Sequence, residues 1–579
     1  MVFEVIGDQF ALDGEPFQIL SGSMNYFRVV PEQWRARLDW AAHLGLNTVE
    51  TYLPWAIHEP APGEFRFTGA QDVVGYLRTA ADAGLRVIAR PGPYACAEID
   101  FGGLPSWLLR EDIAVRSTDP HFLGPVARWF DQVLPRLVPL QHDHGGPIIA
   151  MQVENEFGAV GREDPEYLDW LHTAMRERGV TVPLITSDQA DAGMQARGGH
   201  PAALRTINFD TGARAALELL RAHQPTGPLM CTEFWNGWFD HWGEAHHRRD
   251  PADAAADLAH MLAAGASVNF YMFCGGTNFG FSNGANHDGR YQPTITSYDY
   301  DAPLSEHGTP TAKFALYRDV IAEHTGRTTG PPPALPPLLP ETTVPMTPAM
   351  GWAQIRPALG KAVPLTAPAP MEELGQDYGF VSYEFTVAGP GRRHLDVPGV
   401  SDRAQVLVDG VEVAVLDREH GIYDAELVVP GATATVELIV ENLGRVNYGE
   451  HLVDRKGVLG DILVDGRPVT DLLAIPMDWS ALPDLPAGPV LKAGRGPVLH
   501  QGAFTVESPA DSFVDTGGWT KGVVWVNGFC LGRYWDRGPQ RRLYLPGPVL
   551  TAGSNTVAVL ELHTTTAAAI VLRPEPDLG

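Results

Sequence analysis

The chain has 579 residues, which is too long for a single domain, so two to four domains are expected. Its 70 acidic residues outnumber its 42 basic residues and give a formal net charge of −28. This balance argues against nucleic acid or an anionic membrane as a partner, because both are bound through basic patches. No uncharged apolar run is long enough to span a bilayer.

Up to residue 328 the sequence alternates short apolar runs with amphipathic segments. Strands are predicted at 17–21, 48–52, 86–90, 147–153, 183–186, 206–209, 229–232 and 268–272. Helices are predicted at 31–44, 71–83, 120–137, 165–178, 212–223, 251–264 and 311–324, several with a proline at or near the first turn. This order predicts an α/β fold, a (β/α)8 TIM barrel. An open doubly wound sheet is the second choice, since no GxGxxG follows the first strand.

A proline-rich segment at 328–340, TTGPPPALPPLLP, predicts an extended connector after the barrel. Beyond it, 404–413 (AQVLVDGVEV) and 523–531 (VVWVNGFCL) each read as a strand, an Asp-Gly or Asn-Gly turn and a second strand. Each is followed by another strand-like run, at 433–440 and 555–562. We therefore predict two all-β domains of the jelly-roll or β-sandwich type. The predicted organisation is a barrel at 1–328, a linker at 329–345 and β domains at 346–490 and 491–579.

Two carboxylates stand where predicted barrel strands end. Glu154-Asn155-Glu156 follows the fourth strand and Glu233 follows the seventh. In TIM barrels the carboxyl ends of the strands form the catalytic face, and a pair of carboxylates there suits glycoside hydrolysis. Taken singly, each Glu is more often a solvated residue at a helix start.

Aromatic residues crowd the same strand ends. Core packing explains some of them, but so many on one face favour a sugar platform, where rings cover the apolar face of a pyranose. They are Tyr52, Trp55, Tyr94, Trp107, Phe234, Trp235, Trp238, Tyr271, Tyr298 and Tyr300.

Several long motifs resemble one family. RPGPYACAEIDFGGLPSWLL (90–109) resembles the signature of glycoside hydrolase family 35, the β-galactosidases that include the lysosomal enzyme. The similarity continues through TYLPWAIHEP (51–60), MQVENEFG (151–158), TEFWNGWFDHWG (232–243), GGTNFG (275–280) and SYDYDAPLSEHG (297–308). It extends into the β region at ENLGRVNYG (441–449) and GWTKGVVWVNGFCLGRYW (518–535). The resemblance spans nearly the whole chain.

The resemblance implies a retaining exo-β-galactosidase that removes terminal non-reducing galactosyl residues from oligosaccharides. It implies that Glu156 is the acid/base, Glu233 the nucleophile and Asn155 the partner of the sugar 2-hydroxyl. Tyr298 and Tyr300 are expected to bind substrate in the galactose pocket, and one of them is also expected to orient the nucleophile. Glu154 is expected to be a buried structural partner. The remaining substrate-binding residues implied by the motifs are Tyr52, Cys96, Ala97, Glu98, Trp235, Trp238, Tyr271 and Tyr448.

Two positions depart from the family pattern. Asn25-Tyr26 stands where the family has His-Tyr, which puts one supporting hydrogen bond in doubt. Trp235 stands where the lysosomal-type members have Tyr. With Trp238 it gives a larger platform beside the scissile bond, and we expect a preference for β-1,3-linked galactosides.

Other features set expectations about cofactors, partners and location. The mechanism requires no cofactor or metal, and Cys96, Cys231, Cys274 and Cys530 lack the spacing of a zinc site. The start of the sequence does not read as a signal peptide, so we expect a cytoplasmic enzyme. A homodimer is a further expectation. An exo-β-glucosaminidase of the same fold and a non-catalytic galactoside-binding protein are the alternatives.

Overall fold

The computed structural model describes residues 1–484 and 496–579. Its first part is a closed barrel of eight parallel strands, as predicted. In chain order these barrel strands 1–8 are Leu20–Met24, Thr48–Tyr52, Arg86–Arg90, Ile148–Gln152, Leu184–Gln189, Leu204–Phe209, Met230–Trp235 and Ser267–Cys274. The predicted (β/α)8 fold is therefore confirmed.

Helices surround the barrel and follow its strands. Three of them begin at an Asp-Pro pair, in which the aspartate accepts backbone hydrogen bonds of the first turn and the proline occupies a position that needs no donor. The barrel helices are Pro31–Leu44, Val73–Asp82, Pro120–Leu137, Pro165–Glu177, Ala192–Gly198, Ala213–His223, Pro251–Ala263 and Ala312–Thr325. Short helices at Trp55–His58 and Trp352–Leu359 lie outside this ring. Among the described residues no helix is both long and apolar enough to span a membrane.

The amino-terminal segment differs from the prediction. Barrel strand 1 begins at Leu20 rather than at residue 17, and three short antiparallel strands precede it. These strands, Phe3–Ile6, Gln9–Leu12 and Glu15–Pro16, are joined at turns with positive φ at Gly7 and Gly14. Phe3 and Phe10 pack against apolar side chains at the amino-terminal end of the barrel. The segment therefore closes the end of the barrel opposite to the strand carboxyl ends.

Two all-β domains follow, as predicted. In the first, a six-stranded and a four-stranded sheet enclose one apolar core. The strands of the six-stranded sheet, in spatial order, are Val363–Leu365, Leu472–Pro476, Phe380–Ala388, Thr433–Glu441, Arg403–Val408 and Val411–Asp417. Those of the four-stranded sheet are Asp424–Val429, Gly391–Asp396, Leu463–Val464 and Arg467–Pro468. The second domain has a five-stranded sheet of Thr347–Gly351, Val498–Val506, Gly553–Glu561, Lys521–Val526 and Phe529–Trp535. Its four-stranded sheet consists of Thr342–Pro345, Ala569–Arg573, Ser512–Asp515 and Arg542–Leu545.

Both predicted hairpins are present. Arg403–Val408 pairs with Val411–Asp417 through Asp409-Gly410, and Lys521–Val526 pairs with Phe529–Trp535 through Asn527-Gly528. All four turn residues have positive φ. Only glycine and short polar residues accept that conformation readily in a two-residue turn, which is why the turn signal was informative.

The predicted domain bounds need one correction. The linker expected at 329–345 ends in strand Thr342–Pro345, which pairs with Ala569–Arg573 near the end of the chain. Strand Thr347–Gly351, expected to open the first β domain, pairs instead with Val498–Val506. The chain thus contributes two strands to the second β domain before it builds the first. The predicted boundary at 490/491 lies outside the described residues.

The first β domain is held to the barrel by a buried ion cluster around Arg445. The Arg445 guanidinium contacts the carboxylates of Asp100, from the barrel, and Glu372, and its backbone N–H donates to Asp100 at 2.6 Å. All three side chains are almost completely buried. Removing one member of such a cluster leaves an uncompensated buried charge, which typically costs about 3–5 kcal/mol.

We therefore expect Arg445→Ala to lower the free energy of unfolding by about 3–5 kcal/mol, measured as a fall in Tm by calorimetry. The matched control is Arg392→Ala, which removes an exposed ion pair with Glu426 and is expected to leave Tm nearly unchanged. Equal melting temperatures for the two variants would show that the cluster does not stabilise the junction.

Candidate active site

A cavity of about 250 Å³ opens at the carboxyl ends of the barrel strands. Glu156 reaches it just after barrel strand 4, and Glu233 from within strand 7. This volume is below the roughly 300–1,000 Å³ of pockets for drug-sized ligands, which suits a single sugar ring. The predicted residues that line it are Tyr52, Cys96, Ala97, Glu98, Asn155, Glu156, Glu233, Trp235, Trp238, Tyr271, Tyr300 and Tyr448. Three lining residues were not predicted from the sequence: Gln189, Phe239 and Asn286.

Three donors converge on the Glu233 carboxylate. The Tyr52 hydroxyl donates to Oε1 at 2.6 Å, and Arg90 Nη2 lies 2.7 Å from the same oxygen. Trp235 donates its indole N–H to Oε2 at 3.0 Å. Charge-assisted hydrogen bonds of this kind stabilise a carboxylate in its ionised form and fix its orientation. Glu233 is therefore held as an anion that faces the cavity.

The tyrosine that orients Glu233 is not the predicted one. The resemblance pointed to Tyr298 or Tyr300, whereas the Tyr52 hydroxyl makes the contact. Tyr298 lies behind the cavity wall and donates to Glu98, and its hydroxyl is 3.4 Å from that of Tyr271. Its contact with Glu98 uses its only O–H donor, so it has none left for Glu233.

Arg90 was not predicted as a site residue, although it begins the longest motif. It ends barrel strand 3, is fully buried, and its guanidinium stacks 3.9 Å from the ring centre of Tyr52. Besides Glu233, it contacts the Asn155 side-chain oxygen at 2.7 Å and Glu50 at 3.4 Å. The signal available in the sequence was an arginine at the carboxyl end of a buried strand, where a charge requires a partner.

Glu156 has a different environment from Glu233. Its carboxylate accepts a hydrogen bond from Asn208 at 3.0 Å, and only 5% of the residue is exposed. Burial and the negative charge of Glu233 raise the pKa of Glu156 to about 8, and the Asn208 amide opposes that shift. Its backbone adopts a φ of 44°, in the left-handed region that non-glycine residues rarely occupy and that recurs at functional sites. At neutral pH Glu156 is a proton donor.

The residues on either side of this acid act as supports. Asn155 accepts from Arg90 and from Gln152, and its amide donates to the carbonyl of Ala95 at 3.1 Å. Glu154 points away from the cavity. Its carboxylate accepts two hydrogen bonds, of 3.0 and 2.8 Å, from the Arg116 guanidinium. The structure thus places Glu154 in a buried ion pair, the position that the sequence analysis expected.

Glu98 forms an acidic wall of the cavity. Together with Cys96 and Ala97 it makes three consecutive residues with φ between 49° and 63°. Burial raises the pKa of Glu98 to about 7, against the lowering effects of the Tyr298 hydroxyl and of Arg28. Such a carboxyl can both donate and accept near neutral pH, which suits contacts with sugar hydroxyls.

Tyr448 reaches the cavity from the first β domain. Its hydroxyl accepts a hydrogen bond of 2.8 Å from Gln189, which ends barrel strand 5. The neighbouring Asn447 accepts from the Tyr94 hydroxyl and donates to the thiol of Cys96. The barrel alone therefore does not complete the site.

Asn25, the departure from the family pattern, lies beneath this site. Its side-chain oxygen accepts weakly from the backbone N–H of Tyr52 at 3.4 Å, and its amide nitrogen is buried without a partner among the described residues. Tyr26 instead contacts His58. Asn25 therefore supports Tyr52 only through the backbone.

Known proteins resemble this chain over nearly its whole length. Residues 9–324 match the family model described as glycosyl hydrolases family 35, residues 368–478 the first all-β domain of β-galactosidase, and residues 497–555 its galactose-binding domain. The chain is 42% identical to a β-galactosidase of Xanthomonas manihotis, over 94% of this chain and 91% of that protein. It is 40% identical to a β-galactosidase of Felis catus, over 96% and 87%, and 40% identical to β-galactosidase-1-like protein 2 of Homo sapiens, over 99% and 91%.

Proposed function

The chain belongs to glycosyl hydrolases family 35 and hydrolyses β-galactosides, and we propose that it does so as an exo-acting enzyme with retention of configuration. In this mechanism Glu233 is the nucleophile and Glu156 the acid/base. The proposal rests on the different hydrogen-bonding and electrostatic environments of these two carboxyls, which line the same cavity. Three donors, one of them the Arg90 guanidinium, surround Glu233, whereas the donors to Glu156 are the neutral amides of Asn208 and Gln189 and its pKa is raised to about 8. Environments that separate two carboxyls in this way assign the base and the acid.

In the first step an oxygen of Glu233 attacks the anomeric carbon, while Glu156 gives its proton to the glycosidic oxygen and releases the aglycone. The product is a galactosyl ester on Glu233. Asn155 supports the transition state, because one of its amide N–H groups donates to Ala95 and the other remains available for the sugar 2-hydroxyl.

In the second step Glu156, now a carboxylate, removes a proton from water. The water oxygen attacks the anomeric carbon from the side that the aglycone left, and the bond to Glu233 breaks. Two inversions restore the β configuration. The mechanism demands carboxyls about 5–5.5 Å apart, since the second one attacks directly instead of activating a water.

The shape of the cavity supports exo action on a terminal galactose. Its volume suits one ring, and Glu98, Tyr271 and Tyr300 belong to its wall. Gln189 and Tyr448 form the cavity wall beside Glu156, the group that protonates the leaving oxygen. The aglycone therefore leaves between the barrel and the first β domain.

The proposal is tested by assaying aryl β-galactoside, β-glucoside and β-glucosaminide side by side, and by following the anomer first released with proton NMR. We expect the galactoside to be cleaved fastest, with β-galactose as the first product. Cleavage of the glucosaminide alone would instead assign the exo-β-glucosaminidase alternative. α-Galactose as the first product would refute the double displacement.

Trp235 supports a preference for β-1,3 linkages. It lies in the cavity wall beside Glu233, and its ring meets that of Trp238 edge to face at 5.5 Å. We expect Trp235→Tyr to reduce the preference for galactosyl-β-1,3 over β-1,4 disaccharides by about ten-fold, the discrimination that one apolar contact supplies. The measurement is the ratio of the two kcat/KM values, in which any general loss from the missing N–H donor cancels.

Trp235→Phe is expected to lower the ratio to a similar extent, because it too loses the indole N–H and the second ring, and it tests whether the hydroxyl of the new tyrosine contributes. A linkage ratio that is unchanged in Trp235→Tyr, or equal β-1,3 and β-1,4 rates in the wild type, would contradict the role assigned to Trp235.

We also propose a cytoplasmic location and a homodimer. The location is supported by the cysteines, since Cys96, Cys231, Cys274 and Cys530 are all free thiols, which persist in reducing compartments. Fractionation of the source cells tests the location. Light scattering of the purified chain tests the homodimer, for which the mass would be twice 62.8 kDa.

A further inference from the structure

We infer that Glu50, which does not line the cavity, is a positioning residue that controls the charge of the nucleophile Glu233 through Arg90. This inference rests on the proposed function, because it takes Glu233 as the nucleophile. It assigns a role to a group inside the barrel that contacts neither the substrate nor the reacting atoms.

Glu50 lies in the middle of barrel strand 2 (Thr48–Tyr52) and is completely buried. Asn269 donates to its carboxylate at 3.0 Å, and the Ser23 hydroxyl makes a second contact. Asn269 also donates to the oxygen of Ser23, at 2.8 Å, so the Ser23 hydrogen is directed at Glu50. Burial raises the pKa of Glu50, while the Arg90 charge and the donors Ser23 and Asn269 favour its ionised form.

Arg90 lies between two carboxylates. Its Nη1 is 3.4 Å from Glu50 and its Nη2 is 2.7 Å from Glu233. The ring of Tyr52 stacks on the guanidinium, and Tyr52 lines the cavity whereas Arg90 does not. One positive charge is thus shared by two almost completely buried anions, and charges a few ångströms apart interact strongly there.

No other group described around Glu233 offsets the positive charge of Arg90 as Glu50 does. Tyr52 and Trp235 approach it as neutral donors, while Glu98 and Glu156, whose pKa values are raised to about 7 and about 8, are neutral at acidic pH. The pKa of Tyr271, which also faces Glu233, is raised well above its ordinary value, chiefly by burial, so it stays neutral. Glu50 is therefore the group that offsets the pull of Arg90 on the nucleophile.

Loss of the negative charge of Glu50 would stabilise the Glu233 anion. Arg90 would pair with Glu233 alone, and the repulsion between Glu50 and Glu233 would vanish. Both changes stabilise the Glu233 anion, so Glu233 would ionise at lower pH. A more stabilised anion is also a weaker nucleophile, so attack would slow at every pH above that midpoint.

The test is Glu50→Gln, which keeps the size of the side chain and an oxygen that accepts from Ser23 and Asn269. The probe is 2,4-dinitrophenyl 2-deoxy-2-fluoro-β-galactoside, whose attack by Glu233 releases dinitrophenolate and leaves a stable galactosyl ester. Because dinitrophenolate departs without a proton, Glu156 does not enter the pH dependence of this inactivation.

We expect the acidic midpoint of inactivation to fall by about one pH unit in Glu50→Gln, as loss of a nearby charge implies. The rate at the plateau is expected to fall roughly ten-fold, within the coupling found inside one ion-pair network. Glu50→Asp keeps the charge and is expected to restore the wild-type midpoint. Glu437→Gln, a buried glutamate in the first β domain that contacts Ser382, Trp352 and Arg356, is the matched control and leaves the midpoint unchanged.

An unchanged or higher midpoint in a folded Glu50→Gln enzyme overturns the inference. If that variant does not fold, Ser23→Ala replaces it: losing a donor to Glu50 favours its neutral form, and a smaller downward shift is expected. No shift in Ser23→Ala would equally count against the role of Glu50. If the wild-type enzyme is not labelled on Glu233, the proposed function fails instead, which peptide mapping of the label distinguishes.

Discussion

Glu233→Gln is expected to lower kcat for aryl β-galactosides by about four orders of magnitude or more, because the amide cannot form the galactosyl ester. The amide would still accept from Tyr52, so the cavity keeps its shape. The measurement is steady-state hydrolysis at the optimum pH of the wild type. Intact-protein mass spectrometry with the fluorinated galactoside should show one added 2-deoxy-2-fluorogalactosyl group on the wild type and none on the variant.

Glu163→Gln provides the control for this loss. Glu163 is exposed in the loop after barrel strand 4, so the same chemical change there should leave kcat within about two-fold, as surface changes usually do. Equal Tm values for both variants would separate loss of chemistry from loss of structure. A Glu233→Gln enzyme with near wild-type kcat would remove Glu233 from the mechanism, and the next candidate would be Glu98, the other carboxyl of the cavity.

The barrel and the two carboxylates were predictable because each depends on local patterns. The alternation of β-branched runs with amphipathic helices fixes the (β/α)8 order, and the order fixes which ends of the strands meet. Glu156 and Glu233 follow from that arrangement, since both come at the carboxyl ends of barrel strands. The Asp-Gly and Asn-Gly hairpins were equally local, because two adjacent residues determine the turn.

The contacts that tune the site were not predictable from local patterns. Arg90 meets Glu233 although 143 positions separate them in the chain, and only closure of the barrel brings strands 3 and 7 to one cavity. The same holds for Tyr52, which took the role expected of Tyr298 or Tyr300. Strand Thr347–Gly351 was misassigned for a related reason, since its partner Val498–Val506 lies about 150 residues further on. Tyr448 was placed only through family resemblance, because no pattern in its own segment indicates contact with the barrel.

Glu156→Gln is expected to separate substrates by their leaving groups. With an alkyl or sugar aglycone the leaving oxygen requires a proton, and kcat/KM should fall by about 10³–10⁴-fold, the upper range for general acid catalysis. With a dinitrophenyl aglycone no proton is required, so the first step should be almost unaffected. The second step still lacks its base, so a burst of dinitrophenolate equal to the enzyme concentration should precede slow turnover.

Two further observations would tie this behaviour to Glu156 itself. Azide, which needs no general base, should attack the galactosyl ester and raise turnover of the variant while forming β-galactosyl azide. A rescue that gave the α-azide would contradict a single displacement at this step.

In the wild type, kcat/KM for the alkyl galactoside should decline as pH rises through about 8, because the protonated form of Glu156 is lost there. That decline should disappear with the dinitrophenyl substrate. If it persists, the group that titrates near pH 8 is not the acid that releases the aglycone, and the contrast in environment between Glu156 and Glu233 would need another explanation.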